Sequence, residues 1–208
     1  MNSNPIDIFN SLETIDWRIV ANTYGNNHST LIGLIVHWWI SQSPEQHQVL
    51  EGAPPHGFIE EGIQKLGQGD ALLCQDRKPV GVVEVEGTRW PYTARKIGHY
   101  FDSQVPRYED INFGVLMMYV TGAKGRGTEK AFPSAAHPET IGIVEDITAK
   151  RPGKAIIVIT LDKRLLHVSE RIIDNHYYSG EPSKIVGDLY VAGKIIKKHD
   201  YYIAEPHA

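Results

Sequence analysis

The stretch from Gly69 to Tyr100 constrains the fold of this chain more than any other part of its sequence. An apolar run over residues 71–74 precedes a polar turn over 75–79, and a β-branched, apolar run over 80–85, broken only by Gly81 and Glu84, follows the turn. Two such runs around a polar turn are typical of a β-hairpin. The basic segment that comes next has a proline suited to the first turn of a helix. The stretch therefore predicts a strand, a turn, a strand and a helix in succession.

Three carboxylates fall at the ends of the two predicted hairpin strands. Asp70 stands at the start of the first strand, and Glu84 and Glu86 stand at the end of the second. Alternate residues of a strand share a face, so Glu84 and Glu86 point to the same side. Hairpin pairing returns Asp70 to that end of the sheet. Carboxylates this close repel one another unless a positive group lies among them, and a hard divalent cation held by oxygen atoms meets this need.

The two glutamates also have a simpler interpretation, because an alternating Glu-Val-Glu is typical of the solvent-facing side of a half-buried strand. The complete order of aspartate, hairpin, Glu-x-Glu, glycine and basic helix favours a site. This order resembles the PD-(D/E)xK nuclease superfamily, whose motif is an aspartate on one strand and an acidic residue, any residue and usually lysine on the next. Asp70 and Glu84 match the first two positions. Glu86 stands where the lysine is usual, as in some type II restriction enzymes of that superfamily.

The resemblance implies a Mg²⁺- or Mn²⁺-dependent enzyme that hydrolyses phosphodiester bonds of DNA. In that family pattern Asp70, Glu84 and the backbone carbonyl of Val85 hold the metal ion. Glu86 completes the site or accepts a proton from the attacking water. A restriction-type enzyme is also expected to be a homodimer, since most oligomers are symmetric assemblies of identical chains.

The predicted helix after the hairpin supplies the positive charge that phosphodiester cleavage requires near the developing anion. Lys96 and Tyr100 are four residues apart and share one face of that helix. The pair resembles the Gln-x-x-x-Tyr motif of the exonuclease branch, with lysine at the first position. Lys96 is the first candidate for the charge, and Arg89 is the second. Both also suit a solvated helix surface, and Tyr100 also suits a core position.

Further candidates lie in two segments outside the hairpin and helix. The glycine-rich segment 121–137 carries Lys124 and Arg126, and it fits a phosphate-contacting loop and a solvated linker equally well. The resembled superfamily often adds a glutamate from the N-terminal region to its metal site. Four residues meet this description without distinction: Glu45, Glu51, Glu60 and Glu61.

The other predicted elements define the fold class. They are helices over 6–24 and 29–41, a polar segment over 45–69 that contains a loop and then a short element of open type over 58–66, a strand over 113–120, a helix over 138–150, a strand over 155–161, a helix over 165–175 and β-structure with a hairpin over 183–203. Strands joined through helices pair in parallel, whereas hairpin strands pair antiparallel. We therefore predict an α/β fold: a central mixed β-sheet flanked by helices. The order matches a restriction-endonuclease-like core, α-β-β-α-β-α-β, with a C-terminal β extension.

The length of 208 residues suits one domain with a sizeable core. We predict a single restriction-endonuclease-like domain over 1–208, with its core at about 69–161, N-terminal helices over 6–42 and the extension over 163–208. The net charge is −4 and is unevenly distributed: residues 1–70 hold 2 basic and 8 acidic residues, and the remainder holds 19 basic and 17 acidic. The acidic total argues against strong nonspecific nucleic-acid binding but leaves room for a local basic groove.

Cysteine usage and apolar runs indicate the compartment. The single cysteine, Cys74, excludes an internal disulfide and a cysteine zinc site, which fits a reducing environment. The N-terminal residues lack the basic and apolar regions of a secretory signal. The longest apolar run, Leu31–Ile40, is too short to cross a bilayer. We expect a cytoplasmic protein without a membrane partner.

Two other classes of function remain open from the sequence. The missing motif lysine and the acidic N-terminal third favour a catalytically inactive member of the fold that binds nucleic acid or another protein. An unrelated α/β enzyme with its site elsewhere is the third class. The sequence contains no P-loop, no dinucleotide-type Gly-x-Gly-x-x-Gly and no Gly-x-Ser-x-Gly elbow, so it gives no motif for such a site.

Overall fold

Seven β-strands form one sheet in the computed structural model, which describes residues 4–22, 28–51, 69–87, 91–104, 106–119, 138–163 and 182–204. The strands are β1 (His47–Glu51), β2 (Ala71–Gln75), β3 (Lys78–Gly87), β4 (Phe113–Tyr119), β5 (Ala155–Lys163), β6 (Pro182–Val191) and β7 (Lys194–Ile203). The α-helices are α1 (Pro5–Ser11), α2 (Trp17–Asn22), α3 (His28–Gln42), α4 (Ala94–Phe101) and α5 (Pro138–Ala149). No helix in these ranges is long and apolar enough to cross a membrane.

The sheet is mixed, and its strands lie side by side in chain order. Strands β3, β4 and β5 pair in parallel, whereas all other neighbouring strands pair antiparallel. The parallel strands are linked through α4 and α5, and the antiparallel strands β2 and β3 form the predicted hairpin. The predicted α/β class with a mixed sheet is therefore confirmed.

Helices cover both faces of the sheet, as predicted. The side chains of Val83 and Val85 point into a core that is shared with α1, α2 and α3, and Trp39 is fully buried there. Val82 points to the other face, into a second core that includes Ile97 of α4 and Val144 of α5. This alternation follows from the two-residue period of a strand, and it puts Glu84 and Glu86 on the α4 side.

Helix α3 packs on the sheet along one side, whereas Gly33, His37 and Ile40 are exposed on its other side. Leu31, Ile35, Trp38 and Trp39 all lie in the core. The indole N–H of Trp39 donates a 3.0 Å hydrogen bond to the carbonyl of Cys74 in β2. This bond and the surrounding packing fix α3 along the hairpin, and thereby fix the position of its first residue.

The predicted helix over 6–24 is interrupted, and this prediction is corrected. A 3-10 turn, Leu12–Thr14, follows α1, and a new helix begins at Trp17. The side chain of Asp16 accepts hydrogen bonds from the backbone N–H of Arg18 at 3.2 Å and from its guanidinium at 2.7 Å. A short acidic side chain that bonds the backbone in this way starts a helix, which explains the break.

The polar segment predicted as a loop contains a strand, β1, which pairs antiparallel with β2. Only Val49 and Leu50 in this strand are apolar, so its composition does not signal a strand. Tertiary contacts hold it in place: the ring of His47 stacks on Trp39 with ring centroids 4.0 Å apart. The rest of the polar segment, residues 52–68, lies outside the described residues.

The C-terminal hairpin is confirmed, with a turn at Ala192 and Gly193, which have φ of 51° and 75°. Strand β6 pairs antiparallel with β5, so the hairpin continues the central sheet instead of forming a separate extension. The predicted helix over 165–175 and the predicted loop over 121–137 lie outside the described ranges.

One end of the sheet, here called the carboxyl edge, collects the chain connections that follow the parallel strands. It contains the last residues of β3, β4 and β5, which are Gly87, Tyr119 and Lys163, together with the first residue of β2, Ala71. Open α/β sheets bind their ligands outside the carboxyl ends of the strands. Asp70, directly before Ala71, therefore stands at the edge where a ligand site is expected.

A glycine in β4 allows α4 to lie close to the sheet. A Cβ added at Gly114 would lie 2.5 Å from Cγ2 of Ile97, a distance that real Cβ atoms do not show. We expect Gly114→Ala to lower the free energy of unfolding by about 1–3 kcal/mol, the usual cost of overpacking. Urea denaturation measures it.

Gly142→Ala in α5 is the matched control, because nothing lies within 4 Å of the added methyl group. It should raise the free energy of unfolding by about 0.5–1 kcal/mol through helix propensity. Equal stability of Gly114→Ala and the wild type would contradict the close approach of α4.

Candidate active site

Asp70 lies opposite Glu84 across the β2–β3 hairpin. The last paired residues are Ala71 and Val83, and the next position of the same register joins Asp70 to Glu84. The backbone N–H of Asp70 donates a 3.1 Å hydrogen bond to the carbonyl of Val83. The hairpin thus brings the two carboxylates to the carboxyl edge on neighbouring strands, as the sequence predicted.

Two donors from different elements hold the carboxylate of Asp70 by the same oxygen. Its Oδ2 accepts a 2.7 Å hydrogen bond from the backbone N–H of Val85, and Nε2 of His28 lies 3.2 Å from Oδ2. The hydrogen bond to Asp70 raises the pKa of His28 above its usual value, although partial burial opposes this. Within the described part of the chain, Oδ1 of Asp70 has no hydrogen bond.

Glu84 is fully buried between the sheet and α4. Its Oε2 accepts a 3.0 Å hydrogen bond from Nζ of Lys96, whereas no described group bonds its buried Oε1. Burial raises the pKa of Glu84 to about 8. The positive charge of Lys96 offsets only part of this effect, and the nearby negative charges of Asp70 and Glu86 add to it.

Lys96 reaches Glu84 from the first turn of α4, with 28% of its side chain exposed. Burial lowers the pKa of Lys96, but the hydrogen bond to Glu84 and the negative charges of Glu84, Asp70 and Glu86 together raise that pKa above its ordinary value. Lys96 therefore stays protonated, and its ammonium group lies partly open to solvent beside a buried carboxylate. A cation in this position lowers the cost of keeping negative charge out of water.

Glu86 lies two residues after Glu84 on the same face of β3, next to the segment that leads into α4. Its Oε2 accepts a 3.3 Å hydrogen bond from the hydroxyl of Thr93, and its Oε1 accepts a 3.4 Å bond from the N–H of Gly87. Thr93 ends the 3-10 turn Pro91–Thr93 that leads into α4. Glu86 is less buried than Glu84, so it forms the outer side of the acidic group.

Tyr100 supports the site from inside the core. Only 4% of it is exposed, and its hydroxyl accepts a 2.9 Å hydrogen bond from the N–H of Gly69. Burial raises the pKa of its phenol. The tyrosine thus fixes the segment that carries Asp70 against α4, which is the core alternative that the sequence left open.

The other predicted site residues are distributed differently. Glu45 precedes β1 at the opposite end of the sheet, where the carbonyl of its neighbour Gln46 accepts a bond from the N–H of Asp76 in the hairpin turn. Glu45 therefore cannot reach Asp70. Six candidates or their side chains lie outside the described residues: Glu51, Glu60, Glu61, Arg89, Lys124 and Arg126.

Among the described residues that contact the acidic group, His28 and Thr93 were not predicted from the sequence, and His28 is the more distant in the chain. It begins α3, on the face of the sheet opposite α4, and 42 residues separate it from Asp70 in the chain. No local motif links the two residues. Only the docking of α3 along the hairpin brings them together.

One structural observation at the acidic pair fits a divalent cation. Oε1 of Glu84 is buried without a partner, which is costly unless a ligand satisfies it. The N–H and carbonyl of a strand residue point to the same side, so the carbonyl of Val85 faces the side of Asp70. Mg²⁺ commonly uses one or two carboxylates and keeps several waters. In the described ranges no group of three or more His, Cys, Asp or Glu side chains is arranged to hold a metal ion.

Comparison of the chain with protein-family models, with curated proteins and with solved structures finds no match. The description of the site therefore depends on its own geometry. That geometry defines an α/β protein with two neighbouring carboxylates at the carboxyl edge of its sheet. A lysine and a histidine from opposite helical layers contact them.

The raised pKa of Glu84 predicts how stability depends on pH. The folded protein binds a proton on Glu84 up to about pH 8, whereas the unfolded chain releases it near its ordinary value of 4.5. The stabilisation is complete below the unfolded pKa and disappears as the pH rises through 8. We expect the free energy of unfolding to fall between about pH 5 and pH 9 by an amount on the order of a few kcal/mol.

Glu84→Gln should remove most of this slope, because the amide has no proton to release. Chemical denaturation at several pH values measures the effect. Glu45→Gln, at an exposed position, is the control and should keep the wild-type slope. Identical slopes for Glu84→Gln and the wild type would show that Glu84 titrates normally.

Proposed function

We propose that this protein is a metal-dependent nuclease that hydrolyses phosphodiester bonds of DNA. The observation that carries the proposal is the pairing of Asp70 and Glu84 on adjacent strands, with the ammonium group of Lys96 at 3.0 Å from Glu84. Acidic groups combined with one lysine provide both a place for a cation and a positive charge for a phosphate.

The order of the strands and helices supports the proposal. From β2 to β5 the chain follows β-β-α-β-α-β, with α3 before it, and this is the order expected for a restriction-endonuclease-like core. Strand β1 is an addition between α3 and β2. The parallel pairing of β3 with β4 brings the ends of both strands to the edge that carries the carboxylates.

In this proposal the cation is Mg²⁺ or Mn²⁺, held by Asp70, Glu84 and the carbonyl of Val85. A bound divalent cation lowers the pKa of a water molecule and stabilises charge on phosphate oxygens. Glu84 has to be ionised to bind it, and Lys96 favours the ionised form. Glu86, whose carboxylate is held by the hydroxyl of Thr93, is the candidate acceptor for the proton of the attacking water.

Lys96 has a second role in the proposal. Its ammonium group is partly exposed at the carboxyl edge, so it can approach a phosphate bound at the acidic pair. A fixed positive charge there stabilises the anion that develops during cleavage. Contacts to the DNA backbone come in this proposal from Arg89, Lys124 and Arg126, which follow β3 and β4 in the chain.

A binding module without catalysis is the second candidate, and one observation favours it. Lys96 already contacts Glu84, and the raised pKa of Glu84 favours a proton on its carboxyl group, so the acidic pair is stable without a metal ion. A protein that uses the carboxyl edge only to bind nucleic acid or another protein has no need for Mg²⁺ or Mn²⁺. Metal binding therefore distinguishes the two functions.

Cation binding is expected to stabilise the wild type. Mn²⁺ or Ca²⁺ at 100 times its Kd should add about 2.7 kcal/mol to the free energy of unfolding and raise the melting temperature. The double variant Asp70→Asn with Glu84→Gln should lose this shift, and Glu45→Gln should retain it. Differential scanning fluorimetry measures all three. A full shift of the melting temperature in the double variant would show that the cation does not bind at Asp70 and Glu84.

Lys96→Ala is expected to reduce the rate of DNA cleavage by about 10²-fold or more, the usual effect of losing one preorganised charge. Cleavage of labelled DNA with Mg²⁺ or Mn²⁺ measures the rate, and the Mn²⁺-induced melting shift is recorded beside it. Lys150→Ala, which removes an exposed lysine paired with Asp146 on α5, is the matched control and should keep full activity.

The cleavage rate and the melting shift together distinguish the possible roles of Lys96. Lost cleavage with an intact melting shift assigns the lysine to the reaction. Loss of both the cleavage and the melting shift indicates that Lys96 is needed to keep Glu84 ionised for cation binding. Full activity of Lys96→Ala would indicate that the positive charge comes from Arg89 or from a lysine of segment 121–137. A wild type that is inactive on every form of DNA would favour the binding module.

A further inference from the structure

His28 contacts the candidate site from the side that the proposed reaction does not use. Its Nε2 lies 3.2 Å from Oδ2 of Asp70, and 41% of the histidine side chain is exposed. It belongs to α3, whereas Lys96 belongs to α4 on the other face of the sheet. Neither the acidic motif nor the lysine accounts for a histidine at this position.

The hydrogen bonds on Asp70 are unequally distributed between its two oxygens. The N–H of Val85 and the ring of His28 both contact Oδ2, so the carboxylate is held by a strand and a helix at once. Oδ1 has no such bond from the described residues. Two donors on one oxygen fix the orientation of the carboxylate plane and leave the other oxygen available to a ligand.

The helix that carries His28 is a rigid support. Helix α3 has 15 residues, and Leu31 and Ile35 are fully buried on its inner side. Near its other end, the bond from Trp39 to Cys74 ties it to the far end of β2. The helix therefore spans the length of β2, and its first residue is placed where that strand begins.

Glu84 has the same arrangement as Asp70. Lys96 bonds its Oε2, and Oε1 has no partner among the described groups although it is buried. Each of the two facing carboxylates thus has one oxygen engaged by a side chain from a helix and one oxygen left over. The helices come from opposite faces of the sheet, and the two remaining oxygens belong to adjacent strands.

We propose that His28 is a positioning residue: its ring N–H holds Oδ2 of Asp70 so that Oδ1 is presented to the divalent cation. This inference rests on the proposed function, because it requires that a cation binds at the acidic pair. In it His28 does not ligate the cation and does not exchange a proton with the substrate. Partners of this kind typically change metal affinity by about 10–100-fold when they are removed.

Titration calorimetry with Mn²⁺ on the full chain tests the inference without any measurement of cleavage. His28→Ala should weaken Mn²⁺ binding by about tenfold or more. His28→Gln keeps an N–H donor close to the place of Nε2, so it should bind Mn²⁺ within about threefold of the wild type. His37→Ala removes an exposed histidine from the same helix and should leave the affinity unchanged.

Three results would overturn the inference. Wild-type affinity in His28→Ala excludes positioning. Equal losses in His28→Ala and His28→Gln make the histidine a ligand instead of a support. A wild type that binds no Mn²⁺ removes the proposed function, and the inference with it, whereas a failure confined to the variants leaves the nuclease proposal intact.

A double-mutant cycle checks the contact independently of any cation. The melting temperatures of His28→Ala, Asp70→Asn and the double variant are compared without metal, since residues in contact give non-additive changes. Non-additive shifts support the hydrogen bond between the two side chains. Additive shifts show that His28 does not hold Asp70, and they overturn the inference even where Mn²⁺ binding is altered.

Discussion

The buried carboxylate of Glu84 is the constraint to which the surrounding structure responds. A carboxylate without water is unfavourable unless a positive group or a proton accompanies it. The chain supplies Lys96 from the first turn of α4, and the close approach of α4 to the sheet requires glycine at position 114. The hairpin then adds Asp70 on the neighbouring strand, so the electrostatics of the site and the packing of one helical layer depend on each other.

Much of the sheet could be predicted because its strands carry simple patterns. The apolar runs of β4 and β5 are continuous, as expected for strands buried on both faces, and the hairpin of β2 and β3 surrounds a polar turn. Strand β1 could not be predicted, since His47 and its neighbours are held by β2 and by the ring of Trp39. The break before Trp17 depended on a cap from Asp16, which the apolar spacing of a longer helix concealed.

The candidate site was predictable to the extent that it follows strand geometry. The two-residue period of β3 puts Glu84 and Glu86 on one face, and the hairpin pairing brings Asp70 next to them. The spacing of Lys96 and Tyr100 indicated a shared helix face but not their different roles, one beside a carboxylate and one in the core. His28 was beyond such reasoning, because its position depends on how α3 packs along β2 and not on any local pattern.

The two helical layers contact the site from opposite faces of the sheet, so the positions of the two carboxylates depend on the docking of both layers. One carboxylate relies on a side chain from the first layer, and the other relies on a side chain from the second. A chain in which only one layer has docked holds only half of the acidic pair in place. The geometry of the acidic pair therefore requires both helical layers to be docked, and we expect local opening of either layer to disturb it while the central strands stay paired.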